Sequence, residues 1–314
     1  MTEIISSIIA FLVVIGAVWG MVYWARRAEH DRSAYVGLYL LFGIPGGLLT
    51  VAGLALSVNR LEAGPMVLGL GIALWLPLVR SFRQALARVT PLDPTSPIDM
   101  SGLACILVVI AFSGLQYTIT DAAPASTGDL SVVDTLAALI SSFVAFVVIA
   151  YLCVGYRVWR SFPEATARLG ITKPSLRTVG IAAAAVIPAF VISMIGSALT
   201  VAFQPGYADS LRETVDQMTT GVQNPVGAIV LGFTTGVGEE VLFRGAIQPR
   251  FGIVLASLTW TLLHAQYGLS FVLVGLFGIG ILLGFIRKYM GTTAAMITHG
   301  LYNVIVVLLQ TYLT

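Results

Sequence analysis

The chain has 314 residues, of which 57% are hydrophobic and only 10% charged, and its mean hydropathy is +0.92. A soluble domain carries about 25% charged residues, so this composition excludes an ordinary soluble protein and implies a polytopic one whose solvent is the lipid bilayer. A net charge of +2 is too small to point to a nucleic-acid partner, and the two cysteines, Cys105 and Cys153, lie in separate apolar runs that allow neither a disulfide framework nor a CxxC metal motif.

A helix needs about 20 apolar residues to cross a bilayer. Runs suited to this fall at 4–25, 35–58, 65–79, 98–120, 130–156, 178–203, 224–243, 252–267, 270–286 and 293–313. The fold class is therefore all-α, a transmembrane helical bundle of about ten spans. The first run lacks a basic leader and a small-residue cleavage site and is followed by Arg26 and Arg27, so it reads as a retained helix. The loop at 121–129, DAAPASTGD, is the best boundary in the chain. It divides an N-terminal four-helix region of unknown role (1–125) from a second unit (130–314). The segment 157–177 suits an amphipathic surface helix broken at Pro174.

Basic residues alternate between the loops. Arg26, Arg27 and Arg32 follow the first run, Arg80, Arg83 and Arg88 the third, five cations between Arg157 and Arg177 the fifth, Arg250 the seventh, and Arg287 with Lys288 the ninth. The other loops hold few. The positive-inside rule then puts these basic loops in the cytoplasm and both termini outside, as in a multi-pass cell-membrane protein.

Against this apolar background Glu239, Glu240 and Arg244 stand out in GVGEEVLFRGAIQPRFG, residues 236–252, and His264 and His299 lie in later apolar runs. A charge at a helix centre costs about 2.5–3.5 kcal/mol on insertion scales, so such groups persist where they pair or do chemistry. Glu240 and Arg244 are four residues apart, the spacing of a pair on one helix face. Glu239 is rotated about 100° from Glu240 and faces elsewhere. With a turn at Phe251-Gly252, Glu239 and His264 reach the same depth on two arms, roughly 18 Å from it at 1.5 Å per residue. His299 and Asn303 share a face of the last helix, as Trp260 and His264 share one of theirs. A free carboxylate, an imidazole opposite it and a further pair of donors are what is needed to activate water and to stabilise an oxyanion. In the ninth run Gly275, Gly278, Gly280 and Gly284 suit close helix packing.

The motifs EEVLFR (239–244), WTLLH (260–264) and HGLYN (299–303) resemble the EExxxR, FxxxH and HxxxN motifs of the CPBP intramembrane proteases. That family takes in the type II CAAX prenyl endopeptidases and the bacteriocin-processing proteins. The resemblance covers about residues 130–314, and Trp260 stands where the family usually has phenylalanine. It implies that Glu239 is the general base, that His264 positions the water, and that His299 and Asn303 form the oxyanion site. Glu240 and Arg244 are then the supporting ion pair and Trp260 a supporting aromatic. It further implies a membrane-associated peptide or protein substrate, possible prenylation of that substrate, no cofactor, and a cavity toward the cytoplasmic leaflet. Two alternatives stay open. One is a zinc-dependent intramembrane protease with Glu239, His264 and His299 as ligands, since a His₂Glu set is a known catalytic zinc site. The other is a non-proteolytic immunity, scaffold or transport protein.

Overall fold

The computed structural model describes residues 2–119 and 131–313, and these form helices and connecting turns with no strand among them. The loop at 121–129 on which the sequence puts the division between two units lies outside the described residues. In the N-terminal region α1 (Thr2–Arg27), α2 (Arg32–Val58), α3 (Gly64–Trp75), α4 (Arg80–Leu86) and α5 (Pro97–Ile119) follow one another. The second region contains α6 (Val132–Cys153), α7 (Phe162–Arg168), α8 (Leu176–Ala184), α9 (Val186–Phe203), α10 (Pro205–Thr219), α11 (Pro225–Glu240), α12 (Gln248–Leu262), α13 (Phe271–Met290) and α14 (Thr292–Leu313).

Helix starts are set by polar side chains that accept from otherwise orphaned backbone N–H groups. Asp31 caps α2, Ser131 caps α6, Ser175 caps α8 and Asn224 caps α11. Ser161 and Glu164 form a reciprocal capping box at α7. The segment 157–177 thus contains the short α7, which stops at Arg168 well before Pro174, and the first two residues of α8.

Among the described residues eight helical segments are long and apolar enough to cross a membrane, or nine when α3 and α4, bent by 84°, count as one. Two of the ten expected runs, 224–243 and 252–267, fall in one of these segments. Pro225–Leu262 forms a single 38-residue apolar segment, but Gly252 within it has φ +83°, a backbone conformation open to glycine and closed to most side chains. The chain reverses there. If it continued straight, Glu239 and Trp260 would stand about 31 Å apart at 1.5 Å per residue, whereas their side chains are hydrogen-bonded. The return arm beyond Gly252 is helical only to Leu262, about 15 Å by the same rise, half of the roughly 30 Å hydrocarbon core. Only half of the crossing expected for 252–267 is thus helical, and the residues from Leu263 to Ser270 carry the chain on to the start of α13. Residues 205–219, which lie between two of the expected runs, form α10, with Leu211 and Thr214 buried.

The basic loops meet at one end of the bundle. The guanidinium groups of Arg26 and Arg160 both lie over the Trp159 ring. Burial, and then the cations Arg250, Arg160 and Arg287, pull the Arg168 guanidinium below its usual pKa. At this end α1 finishes and α14 begins, with the Thr292 hydroxyl donating to the Leu169 carbonyl, so α1 starts and α14 finishes at the opposite end.

Buried side chains fall into one large cluster from α6 to α14 and a smaller one from α1, α2 and α5. A third joins Leu92, Leu103 and Ile106 of the N-terminal region to Phe251 at the reversal.

Candidate active site

Helices α11 and α14 cross with almost nothing between them. A Cβ on Gly236 would lie 2.7 Å from the backbone of Gly300, and one on Gly232 would lie 2.6 Å from the Gly300 carbonyl oxygen. Small residues let transmembrane backbones approach this closely. The sequence reading singled out the glycines of α13, and those do pack: Gly280 faces Ser257 and Trp260, and Gly284 faces Ile253. It missed the GxxxG spacing of Gly232 and Gly236, the contact that sets Glu240 against His299.

After Glu240 the helix widens into a π-helical segment, Val241–Ile247, a feature frequent at functional sites. Arg244 sits in it with its Nε 3.4 Å from Glu240 Oε2, and both side chains are 0% exposed. The Arg244 guanidinium also lies over the Trp260 ring, 5.5 Å from its centroid. The ion pair expected at the i,i+4 spacing is present.

Glu240 has a second partner that spacing did not disclose. Its Oε1 accepts from His299 Nδ1 at 3.0 Å, so the imidazole expected to serve with Asn303 is anchored on the supporting carboxylate. Asn303 instead donates from Nδ2 to Thr235 Oγ1 at 2.8 Å. Thr235 lies one turn before Glu239 on α11, so Asn303 still reaches the face of α11 that carries Glu239.

Glu239 is half-buried and its surroundings differ. Its Oε2 accepts the indole N–H of Trp260, and among the described residues its Oε1 makes no hydrogen bond. Trp260, 2% exposed, is the centre of the constellation. Its ring meets His264 edge-on at 4.7 Å between centroids and His299 at 5.7 Å. The sequence gives Trp260 an aromatic role only; the tryptophan found in place of phenylalanine adds a donor aimed at Glu239.

His264 is not inside a helix as expected. It follows the end of α12, with φ −91° and ψ 50°, and opens the 3₁₀ turn Ala265–Tyr267. Its Nδ1 is 2.9 Å from the Trp260 carbonyl oxygen. A carbonyl only accepts, so Nδ1 carries the proton and Nε2 is left with the lone pair. Two side chains at the start of α10 bond to this segment: Tyr207 donates to the Tyr267 carbonyl, and Gln204, which precedes the helix, to that of Leu269.

Glu239, Glu240, Arg244, Trp260 and His299 therefore converge directly, His264 joins through Trp260, and Asn303 lies a turn away. Among the described residues no three His, Cys, Asp or Glu side chains are grouped so as to hold a metal ion. Residues 221–305 match the family model of the Rce1-like type II CAAX prenyl endopeptidases, and all seven of these residues fall inside that match. Neither a curated protein nor a solved structure matches the chain. The segment that builds the site is therefore similar to the Rce1-like type II CAAX prenyl endopeptidases over 221–305, within a chain whose apolar helices make it a multi-pass membrane protein.

Proposed function

We propose that the protein hydrolyses a peptide bond of a membrane-associated substrate by water that Glu239 activates. The observation that carries this is the unequal state of two adjacent carboxylates. Glu240 is fully buried: its Oε1 accepts from His299, and its Oε2, which makes no hydrogen bond, is shut away from water against the Arg244 guanidinium. Glu239 is only partly buried, is oriented by one donor, and among the described residues keeps one oxygen free of hydrogen bonds. A general base must lie within hydrogen-bond reach of the water it deprotonates, and of the two only Glu239 is placed to do so.

The neighbouring groups take complementary roles. His264, held in one tautomer by the Trp260 carbonyl, presents Nε2 as an acceptor that helps to hold the water. His299 gives Nδ1–H to Glu240. A second proton on Nε2 makes it a donor for the developing oxyanion, and the buried Glu240 carboxylate stabilises the imidazolium that this requires. Asn303 has one amide proton on Thr235 and another to spare. Prenylated CAAX-type peptides are the substrate class that the family resemblance suggests.

One observation favours this over the zinc reading: among the described residues no three His, Cys, Asp or Glu side chains are grouped so as to hold a metal ion. The test is cleavage of a farnesylated CAAX-box peptide by purified protein, with its metal content measured. We expect a released tripeptide, turnover insensitive to chelators, and loss of that turnover in Glu239→Gln. Stoichiometric zinc, with activity abolished by chelator and restored by metal, would establish the alternative.

A further inference from the structure

The active-site hairpin is held at its bend by residues outside the family-matched segment. At the reversal Arg250 forms an ion pair with Asp99 of α5, and Asp99 is nearly buried. The other oxygen of Asp99 accepts from the Asp93 backbone N–H at 2.9 Å. Phe251, 4% exposed, is inserted among Leu92, Leu103 and Ile106. Its ring abuts Gly102 so closely that a Cβ there would lie 2.9 Å from Cζ. Pro91 meets Gly252 itself.

The receiving surface is itself braced. Arg83, 2% exposed, donates to the carbonyls of Pro94 and Pro77, fixing the stretch that carries Pro91 and Leu92. From that stretch α5 runs alongside α12 and also packs against the Ala265–Tyr267 turn that follows His264. One N-terminal helix thus contacts the returning arm at its bend, along its length and at its tip. The outgoing arm, with Glu239 and Glu240, is placed separately by α6 and α14.

We propose that the N-terminal region is a clamp on this hairpin. Asp99 and the Gly102 and Leu103 surface, acting through Arg250 and Phe251, set the position of Trp260 and His264 relative to Glu239. They are positioning residues and touch no substrate. The inference rests on the reading of Glu239 as the base. It follows physically because Gly252 is a one-residue hinge and α12 beyond it is a short, half-span helix, which fixes its own direction poorly. Misplacing catalytic groups by about 1 Å costs up to about 10²-fold in rate.

The test uses the full-length protein in nanodiscs and four single substitutions: Arg250→Gln, Arg250→Lys, Gly102→Leu as a wedge against Phe251, and Glu239→Gln as a control. Turnover of a farnesylated CAAX-box peptide and amide hydrogen exchange are both read. For Arg250→Gln and Gly102→Leu we expect kcat lower by about 10- to 100-fold with KM within about twofold. Exchange should be faster in 253–267 and unchanged in 225–240 and 293–310, and Arg250→Lys should restore kcat. If both variants keep wild-type kcat, or if exchange rises throughout the chain in step with lost activity, the clamp is refuted and the contact is merely structural. The exchange pattern tests the clamp without reference to the base, whereas a fully active Glu239→Gln would refute the base assignment and leave that pattern standing.

Discussion

The indole N–H of Trp260 is hydrogen-bonded to the carboxylate of Glu239, which ties together two arms of chain that run in opposite directions from Gly252. This one bond fixes one oxygen of the proposed base, and His264, one turn further along, lies against the same Trp260 ring. It also defines what a phenylalanine at this position would lack.

Trp260→Phe should keep the ring that Arg244, His264 and His299 contact while removing the donor. A hydrogen bond to a charged group contributes about 1.5–3 kcal/mol, so the rate should fall by about 10- to 100-fold with the protein still folded. Trp260→Ala should instead unfold more readily, since emptying a buried tryptophan site costs about 3–5 kcal/mol. Steady-state turnover and thermal unfolding in detergent separate the two outcomes.

Glu240→Gln leaves the buried Arg244 without its counter-charge, which costs about 3–5 kcal/mol for a buried pair. Adding Arg244→Met should return at least half of the lost stability. Activity should stay low in the double variant, because His299 then faces an amide in place of the carboxylate that stabilises its charged form. Recovery of full activity would show that Glu240 acts only as a partner for Arg244.

Gly236→Ala puts a methyl group 2.7 Å from the Gly300 backbone, where nothing flexible can yield. Overpacking of this kind costs about 1–3 kcal/mol, and the displaced α14 should weaken the Glu240–His299 contact and lower turnover. Gly180→Ala, with nothing within 4 Å of the new Cβ, should leave both unchanged. Melting temperature and peptide turnover for the two variants check this.

Orientation follows from the gathered basic loops. In a background lacking Cys105 and Cys153, a cysteine at Lys173 should be protected from an impermeant thiol reagent in intact cells. One at Asp209, on the α10 side, should react. The reverse pattern would place the basic end outside.

The parts of this site that are legible in the sequence are those set by local spacing. Glu240 and Arg244 pair because they share a helix face, and Phe251-Gly252 marks a reversal because glycine tolerates the backbone it needs. What spacing could not supply is the rotation of one helix against another. The Glu240–His299 bond depends on how α14 crosses α11, which Gly232, Gly236 and Gly300 decide through contacts between distant residues. The apolar run around His264 predicts a helix, yet α12 stops at Leu262, and the segment that follows is bonded to Tyr207 of α10, a helix that hydropathy does not mark, and to Gln204 just before it. That helix, α10, is polar on most of its surface, so only Leu211 and Thr214, one turn apart, signal it. The Trp260 donor was visible as a residue type, but its target was not, because the fold-back at Gly252 brings it there.

The most direct measurement is the single-turnover cleavage rate of a farnesylated CAAX-box peptide by Glu239→Gln, compared with wild type and with thermal unfolding recorded on the same samples. Glutamine keeps an oxygen to accept the Trp260 N–H and preserves size, but it cannot take a proton from water. The account predicts a rate at least about 10²-fold lower, as for loss of a general base, with an unfolding temperature close to that of wild type. Near-wild-type cleavage by Glu239→Gln would contradict it.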